Sequence, residues 1–493
     1  MGKATEMDVK VKFGLKSFIT VVAILLVVLI AVGVLTYVIP AGRYTVYTTD
    51  ETKKDLPFYQ YTTDESLNKQ IVPDSYRELL SGENTSRLPF YRWLTSPIES
   101  LFFGSSSSNM LMIIALLLVL GGTFKVLEES GGLVSLVRVI MVKLQAKRFA
   151  AIWVITGVIM LLSAVFGLQE QLLILYPVFA MLCTALNWSR FTAISFVLIA
   201  SGVGFTTAIT NPLTVGTASI AAGVAITDGM WFRCIIFAVM YVITSLFLTF
   251  LAKRDERQTK EKFDVEGFVM VSEAEHKEDI RKAGMIIALF SIALLSVIVT
   301  TSIEAVRSLA MVFMAVAFIV GTVIIGRILL GSYRSLGKSF VKGVKDVLPS
   351  IVIIMIAFGI TYIAQQGNIL HTIFRYFYNS VTNISPYLAV FLLYIFVLII
   401  EFFIPSASAK AVLIIPMLTL APIDGISKTV IILTYLFADG YTNVLYPTCG
   451  TLLVGLGLAD VSLAEWFKKT ILFQLILFAV SLAFLMLAVA IGL

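Results

Sequence analysis

Four short polar runs interrupt an otherwise apolar chain, and they hold the side chains best suited to chemistry. Two are alike: Thr210-Asn211-Pro212-Leu213-Thr214-Val215-Gly216-Thr217 and Thr442-Asn443-Val444-Leu445-Tyr446-Pro447-Thr448-Cys449-Gly450-Thr451. Each opens with Thr-Asn, contains Pro and closes with Gly-Thr. Uncharged hydroxyls and amides of this kind hydrogen-bond a carboxylate or lend oxygen atoms to Na⁺. Pro removes a backbone donor and clashes with the preceding turn, so a helix must break there. A broken helix offers free N–H and C=O groups and half-helix dipoles to whatever lies beside it. The other two runs are Gly167-Leu168-Gln169-Glu170-Gln171 and Pro405-Ser406-Ala407-Ser408-Ala409-Lys410. A charge in apolar surroundings costs roughly 2.5–3.5 kcal/mol on insertion scales, so each one there is a functional candidate. Glu170 and Asp439, with Gln171 beside the first, are candidates for proton or ion coupling. Candidates for binding a solute are Thr210, Asn211, Thr214, Ser406, Ser408, Lys410, Thr442, Asn443 and Thr448. Lys410 could face a substrate carboxylate or pair with Glu401. No metal-ligand set is assigned; Na⁺ is the one ion considered, and no organic cofactor is expected.

Such runs need elements to carry them, and composition says of what kind. Of 493 residues, 58% are hydrophobic and 14% charged, with a mean hydropathy of +0.94. Soluble domains carry about 45–50% apolar and about 25% charged residues, so a soluble enzyme and a disordered chain are both excluded. Apolar runs of about 20 residues without alternation mean membrane helices rather than a β-barrel. The net charge of +6 is low for a nucleic-acid binder and fits basic cytoplasmic loops. Cys183, Cys234 and Cys449 lie in apolar stretches, and His276 and His371 are far apart, which leaves little for a disulfide framework, zinc or haem. No nucleophile–base pair gathers in the polar runs, so an intramembrane enzyme is not expected, and with no phosphate-binding loop present ATP-driven transport would need a separate subunit.

The first apolar run, Ser17–Pro40, follows Lys3, Lys10, Lys12 and Lys16; it is too long for a signal-peptide core and is expected to be a first span. A polar segment, about 41–109, carries seven Lys/Arg against eight Asp/Glu before Glu99 and fits the outer side. Spans are expected at 110–127, 231–251, 284–302, 308–331, 349–366 and 470–492. Residues 149–187 and 387–423 are too long for one span and break at a polar tip, which reads as a re-entrant hairpin in each case. Residues 191–226 and 428–459 read as discontinuous helices. Basic stretches at 138–148 and 334–345 read as interfacial amphipathic helices, and Trp93, Trp188, Trp231 and Trp466 as an aromatic belt at span ends. This threading puts 23 of 37 Lys/Arg in cytoplasmic loops, with the N-terminus inside and the C-terminus outside.

The expected fold is therefore an all-α polytopic membrane protein of two inverted repeats, each with a re-entrant hairpin and a discontinuous helix. Residues 1–254 form the first repeat, 255–307 a charged linker plus an extra span, and 308–493 the second. The odd extra span is what inverts the second repeat. Secondary transporters use such repeats to hold a solute at the bilayer midplane. A channel would need a continuous pore, and a receptor reading would rest on the outer segment alone.

The stretches Phe166–Pro177, Thr210–Thr217, Ile404–Pro416 and Asp439–Thr451, with Pro40-Ala41-Gly42 and Glu465-Trp466, resemble the C4-dicarboxylate anaerobic carrier family in its YfcC-like branch. The resemblance covers nearly the whole chain apart from the outer segment and the 253–283 linker. It implies the ion-transporter superfamily, an elevator-type movement, a homodimer and a multi-pass place in the plasma membrane, in bacteria the inner membrane. It also implies a C4-dicarboxylate or amino acid as solute, with arginine/ornithine exchange as the alternative. Members of this branch often carry two adjacent carboxylates at the first tip, where this chain has Glu170-Gln171. That change and Lys410 together favour a solute of negative or zero net charge.

Overall fold

The computed structural model describes residues 15–54, 57–63, 72, 75–79, 88–103, 107–144, 147–258, 272–303, 309–381, 384–404, 407–420 and 425–493. Its helices, in order, are α1 (Leu15–Val38), α2 (Phe90–Phe103), α3 (Ser107–Glu129), α4 (Gly132–Leu144), α5 (Arg148–Phe166), α6 (Tyr176–Ala185), α7 (Arg190–Thr206), α8 (Thr217–Ala222) and α9 (Met230–Gln258). They continue as α10 (Glu273–Ser302), α11 (Ala310–Leu330), α12 (Tyr333–Gln366), α13 (Leu370–Val381), α14 (Pro386–Phe403), α15 (Ala407–Leu420), α16 (Lys428–Thr442), α17 (Gly450–Leu458) and α18 (Leu463–Ala490). Seven of the described helices are long and apolar enough to cross a membrane. The chain is a multi-pass helical membrane protein.

Where helices start is written locally. Ser189, Ser272, Ser385, Ser427 and Ser462 each precede a helix in extended backbone and accept a hydrogen bond from the N–H three residues on. Each thereby satisfies one of the donors a helix start leaves free. At Ser272 the Glu275 carboxylate reaches back to the Ser272 N–H, completing a capping box.

Three expectations change. First, the basic stretch 334–345 and the span 349–366 are one 34-residue helix, α12, with Pro349 inside it. At 1.5 Å per residue such a helix is about 50 Å long, so its basic first turns extend past a hydrocarbon layer of about 30 Å. Likewise α10 is continuous from Glu273 in the charged linker through the span to Ser302. Second, the described residues of the polar segment 41–109 hold regular structure. Strands β1 (Gly42–Arg43) and β4 (Arg77–Glu78) pair antiparallel, and β2 (Val46–Thr48) and β3 (Tyr59–Tyr61) pair in parallel. Strand β1 docks on α13, and beside the strands the Tyr44 N–H donates to His371 Nδ1 at 3.3 Å and the Tyr76 and Thr372 hydroxyls meet at 2.8 Å. The fold is thus helical with two small sheets rather than purely α. Third, the aromatic belt does not hold. Trp93, Trp188 and Trp466 are buried, and Trp231 alone of the four is exposed. Indole N–H groups in a dry interior need acceptors, and Trp93 and Trp466 find backbone carbonyls while Trp188 finds Glu256.

Two bodies emerge from the packing. Helices α1, α2, α3, α4, α10, α11 and α12 pack on one another, while α5 to α9 and α14 to α18 form the other body. The bodies meet chiefly where α12 and α1 touch α17 and where α4 touches α6.

Candidate functional site

Within the second body two helices stop at their polar runs and cross there. Helix α7 ends at Thr206, the chain breaks through residues 207–211, and a π-helical turn, Pro212–Gly216, leads into α8. Helix α16 ends at Thr442, and after a break α17 starts at Gly450. The crossing is a backbone contact. A Cβ on Gly440 would lie 2.0 Å from the Thr206 backbone nitrogen, closer than any side chain permits.

Each break is fastened differently. The last turn of α5 presents carbonyls with no partner of their own, as every helix C-terminus does. The first break supplies the donors. The Ile209, Thr210 and Asn211 N–H groups all reach the Ala164 carbonyl (2.8, 3.2 and 3.1 Å), and the Thr210 hydroxyl donates to the Val165 carbonyl at 3.3 Å. The Asn211 amide donates to the Ser163 carbonyl at 3.4 Å while its oxygen accepts from the Leu213 N–H at 2.9 Å. Gly167, which turns the chain after α5, has φ +73°, and a Cβ there would strike the Asn211 side-chain oxygen. Residue 167 must be glycine on both counts.

The second break is held from elsewhere. The Val444 carbonyl accepts from Trp466 Nε1 (2.9 Å) and Gln474 Nε2 (3.1 Å), both on α18. Asn443 reaches across to the first tip, donating from Nδ2 to Gln169 Oε1 at 2.9 Å, and accepts from the Cys449 thiol at 3.6 Å. Thr214 in the first break and Thr448 in the second are both buried, and neither hydroxyl has a hydrogen-bond partner among the described residues. A buried hydroxyl without a partner costs about 1–3 kcal/mol, and these two stand at matching places in the two breaks.

The charged residues converge. Lys410, on the first turns of α15, is fully buried and forms ion pairs with Glu401 at the end of α14 and with Asp439 on the last turn of α16, the latter at 2.7 Å. The Thr442 hydroxyl donates to the Glu401 carboxylate at 3.3 Å and to the Asp439 carbonyl at 3.0 Å. Glu170 opens the 3₁₀ turn Glu170–Leu175 at the first tip, half-buried and within electrostatic reach of Asp439.

The structure thus brings Lys410, Asp439 and Thr442 together and sets Asn443 against the first tip. It places Thr210 and Asn211 on the end of α5 rather than on the charged cluster. Ser406 lies outside the described residues, as do the side chains of Gln171 and Ser408. Sequence reasoning underrated Glu401, considered only as one alternative partner for Lys410, and missed Gln169. Glu401 was findable, since an acid inside the run Phe391–Phe403 is as costly there as Glu170 is at its tip. Nothing in Gln169 itself marks it apart from Gln171; only the fold turns it toward Asn443. Among the described residues no group of His, Cys, Asp and Glu side chains is placed to hold a metal ion.

Known proteins bear on this arrangement over nearly its whole length. The chain is 22% identical over 90% of its length, and 91% of the relative's, to Escherichia coli YfcC, provisionally named a basic amino acid antiporter. It is 24% identical over 94% of its length, and 95% of the relative's, to an uncharacterised Haemophilus influenzae protein. Among solved structures, the Alcanivorax borkumensis YdaH transporter aligns over 97% of this chain and 98% of its own at 16% identity, with a TM-score of 0.43. The sequence profile of the DcuC family, described as C4-dicarboxylate anaerobic carriers, matches residues 18–490 and so takes in both tips and both breaks. With two broken helices crossing inside a multi-pass bundle and that match running from the first span to the last helix, the chain belongs to the C4-dicarboxylate anaerobic carrier family of membrane transporters.

Proposed function

We propose that this chain is a secondary active transporter that moves a small carboxylate-bearing solute, a C4-dicarboxylate or an amino acid, by an elevator-type movement coupled to Na⁺, H⁺ or counter-solute exchange. The observation that carries the reading is the crossing of two broken helices, backbone on backbone at Gly440 and Thr206, with a buried Thr hydroxyl in each break that has no partner among the described residues. Irregular backbone at membrane depth is tolerated only where protein buries it or a cavity needs it. In this reading the chain is two inverted repeats, α5/α6 and α14/α15 are re-entrant hairpins, and the solute lies between the breaks. Thr214, Thr448, Thr442 and Asn443 are its polar contacts, with Ser406 and Ser408 at the second tip. The body holding α5 to α9 and α14 to α18 slides against the body holding α12. Two copies pair in the bacterial inner membrane.

One observation favours the alternative of basic amino acid exchange. Lys410 is already matched by two carboxylates, so it is not free to attract an anion. Uptake of labelled dicarboxylates and neutral and basic amino acids into proteoliposomes, with and without imposed Na⁺ and H⁺ gradients, tests both. Inhibition by arginine or ornithine far below the concentration of any dicarboxylate selects the alternative, and no uptake of any member of the panel sinks the transporter reading.

A further inference from the structure

The Glu401–Lys410–Asp439 cluster has a charge count that does not close. Two carboxylates face one ammonium, all three side chains are buried, and Glu401 Oε1 and Asp439 Oδ2 have no hydrogen-bond partner among the described residues. Their placement along the helices adds to the cost. Glu401 and Asp439 sit in the last turns of α14 and α16, where the helix ends are partly negative, and Lys410 sits near the start of α15, where the end is partly positive. Each charge is at the wrong end of its own helix. Buried ion pairs are seldom worth their desolvation even when they balance, and an uncompensated buried charge costs far more. Stability therefore does not explain the cluster.

We propose that the cluster is a proton-binding site, in which Glu401 and Asp439 share one exchangeable proton while Lys410 stays charged between them. The proposal rests on the transporter reading above and names its coupling ion. The proton comes from water on one side of the membrane, forms an O–H bond at Glu401 Oε1 or Asp439 Oδ2, and returns to water on the other; no other bond changes. With the proton bound the cluster is neutral and can cross; without it one negative charge remains. A metal cation fits less well. Hard cations take about six oxygen ligands, whereas among the described residues two carboxylate oxygens of the cluster are free and an ammonium 2.7 Å from Asp439 repels a second positive charge.

The other titratable groups near the cluster are few. Glu170 and Cys449 face it from the first tip and the second break, and Tyr435 and Tyr446 donate to the Ala407 and Leu398 carbonyls. Helices α8 and α17 carry no titratable residue; α7 has only Arg190 at its start, and α18 has Glu465, Lys468 and Lys469 in its first two turns.

Infrared spectroscopy of the full chain in lipid vesicles at neutral pH tests this without requiring transport. Charge counting predicts one protonated carboxyl from the cluster in the unmodified protein. Glu401→Gln and Asp439→Asn should each lose it, because the remaining carboxylate is then balanced by Lys410, and Lys410→Met should double it. Glu170→Gln should keep it. A spectrum that is the same in the unmodified protein, Glu401→Gln and Asp439→Asn overturns the proposal. Should the cluster variants not fold, Glu170→Gln decides alone. Asp279, the other buried acid among the described residues, is held by Arg138 and Ser135, so a carboxyl band in that variant supports the cluster proton and its absence overturns it. In proteoliposomes, an imposed pH gradient should change uptake by the unmodified protein and leave uptake by Glu401→Gln unaltered. Absence of uptake of every solute would defeat the transporter reading while leaving the infrared result to decide the proton.

Discussion

Asn211 and Asn443 occupy the same place in two similar motifs, and the fold gives their amides different work. Asn211 closes the first break on α5 through two backbone contacts, whereas Asn443 spans from the second break to Gln169. Asn211→Ala should therefore cost about 1 kcal/mol of stability by loss of a cap, visible as a lower thermal midpoint in detergent. Asn443→Ala should lower uptake more than it lowers that midpoint. The hydroxyls of Thr214 and Thr448 make no hydrogen bond to the described residues that a substitution could remove. Thr214→Val and Thr448→Val should leave stability unchanged or slightly raised, because an unpartnered buried hydroxyl is a cost. Each should raise the KM for the solute by up to about tenfold, the worth of a neutral hydrogen bond; an unaltered KM in both would take the solute away from the breaks. His371, on α13 outside the span candidates, titrates too. Burial, with the charge of Arg43 behind it, pushes its imidazole from 6.5 down to about 4, and its Nδ1 accepts the Tyr44 N–H only while neutral. The unfolded chain then binds more protons between those values, so the contribution of His371 is complete above about 6.5 and is lost as pH falls toward about 4. The acid-side fall in thermal midpoint should shrink in that window in His371→Gln.

At the scale of elements, the crossing of α7 and α16 depends on two glycines that tolerate change unequally. A Cβ at Gly440 meets the backbone of Thr206, which cannot move without moving α7. A Cβ at Gly202 meets the Val444 side chain at 2.3 Å, a contact that trimming can relieve. Gly440→Ala and Gly202→Ala should each destabilise by about 1–3 kcal/mol, as overpacking does. Adding Val444→Ala should restore Gly202→Ala and do nothing for Gly440→Ala, a double-mutant comparison read by thermal unfolding. Equal rescue of both would mean that the helices do not cross where these contacts place them.

For the whole molecule, orientation is the open expectation with the widest reach, because an inverted repeat requires the two halves to enter from opposite sides. Gln60 is exposed in β3 and Lys277 is exposed in the first turns of α10. Cys234 is exposed as well, while Cys183 and Cys449 are buried. On a Cys234→Ser background, a membrane-impermeant thiol reagent should label Gln60→Cys in intact cells, and Lys277→Cys only after the membrane is opened. The reverse pattern would remove the inverted-repeat reading. The same two-body packing also bears on movement, since the bodies share few contacts outside α12, α1 and α4; bodies joined by a limited interface can shift relative to one another more readily than a single core.

What the sequence determines by itself is the class of molecule and the positions of its interruptions. Apolar runs of about 20 residues, Ser caps at helix starts and Pro within the Thr-Asn runs are local signals, because hydrophobic length, capping and the missing proline donor act within a few residues. The partners of each polar group are not local. That Lys410 meets both Glu401 and Asp439, that Asn443 takes Gln169, and that Trp466 and Gln474 hold the Val444 carbonyl depends on α14, α15, α16, α18 and the first tip packing together. A buried charge or amide must find its complement somewhere, and the sequence states that need without naming the residue that meets it. Only tertiary packing, settled by backbone contacts such as Gly440 on Thr206, decides which one does.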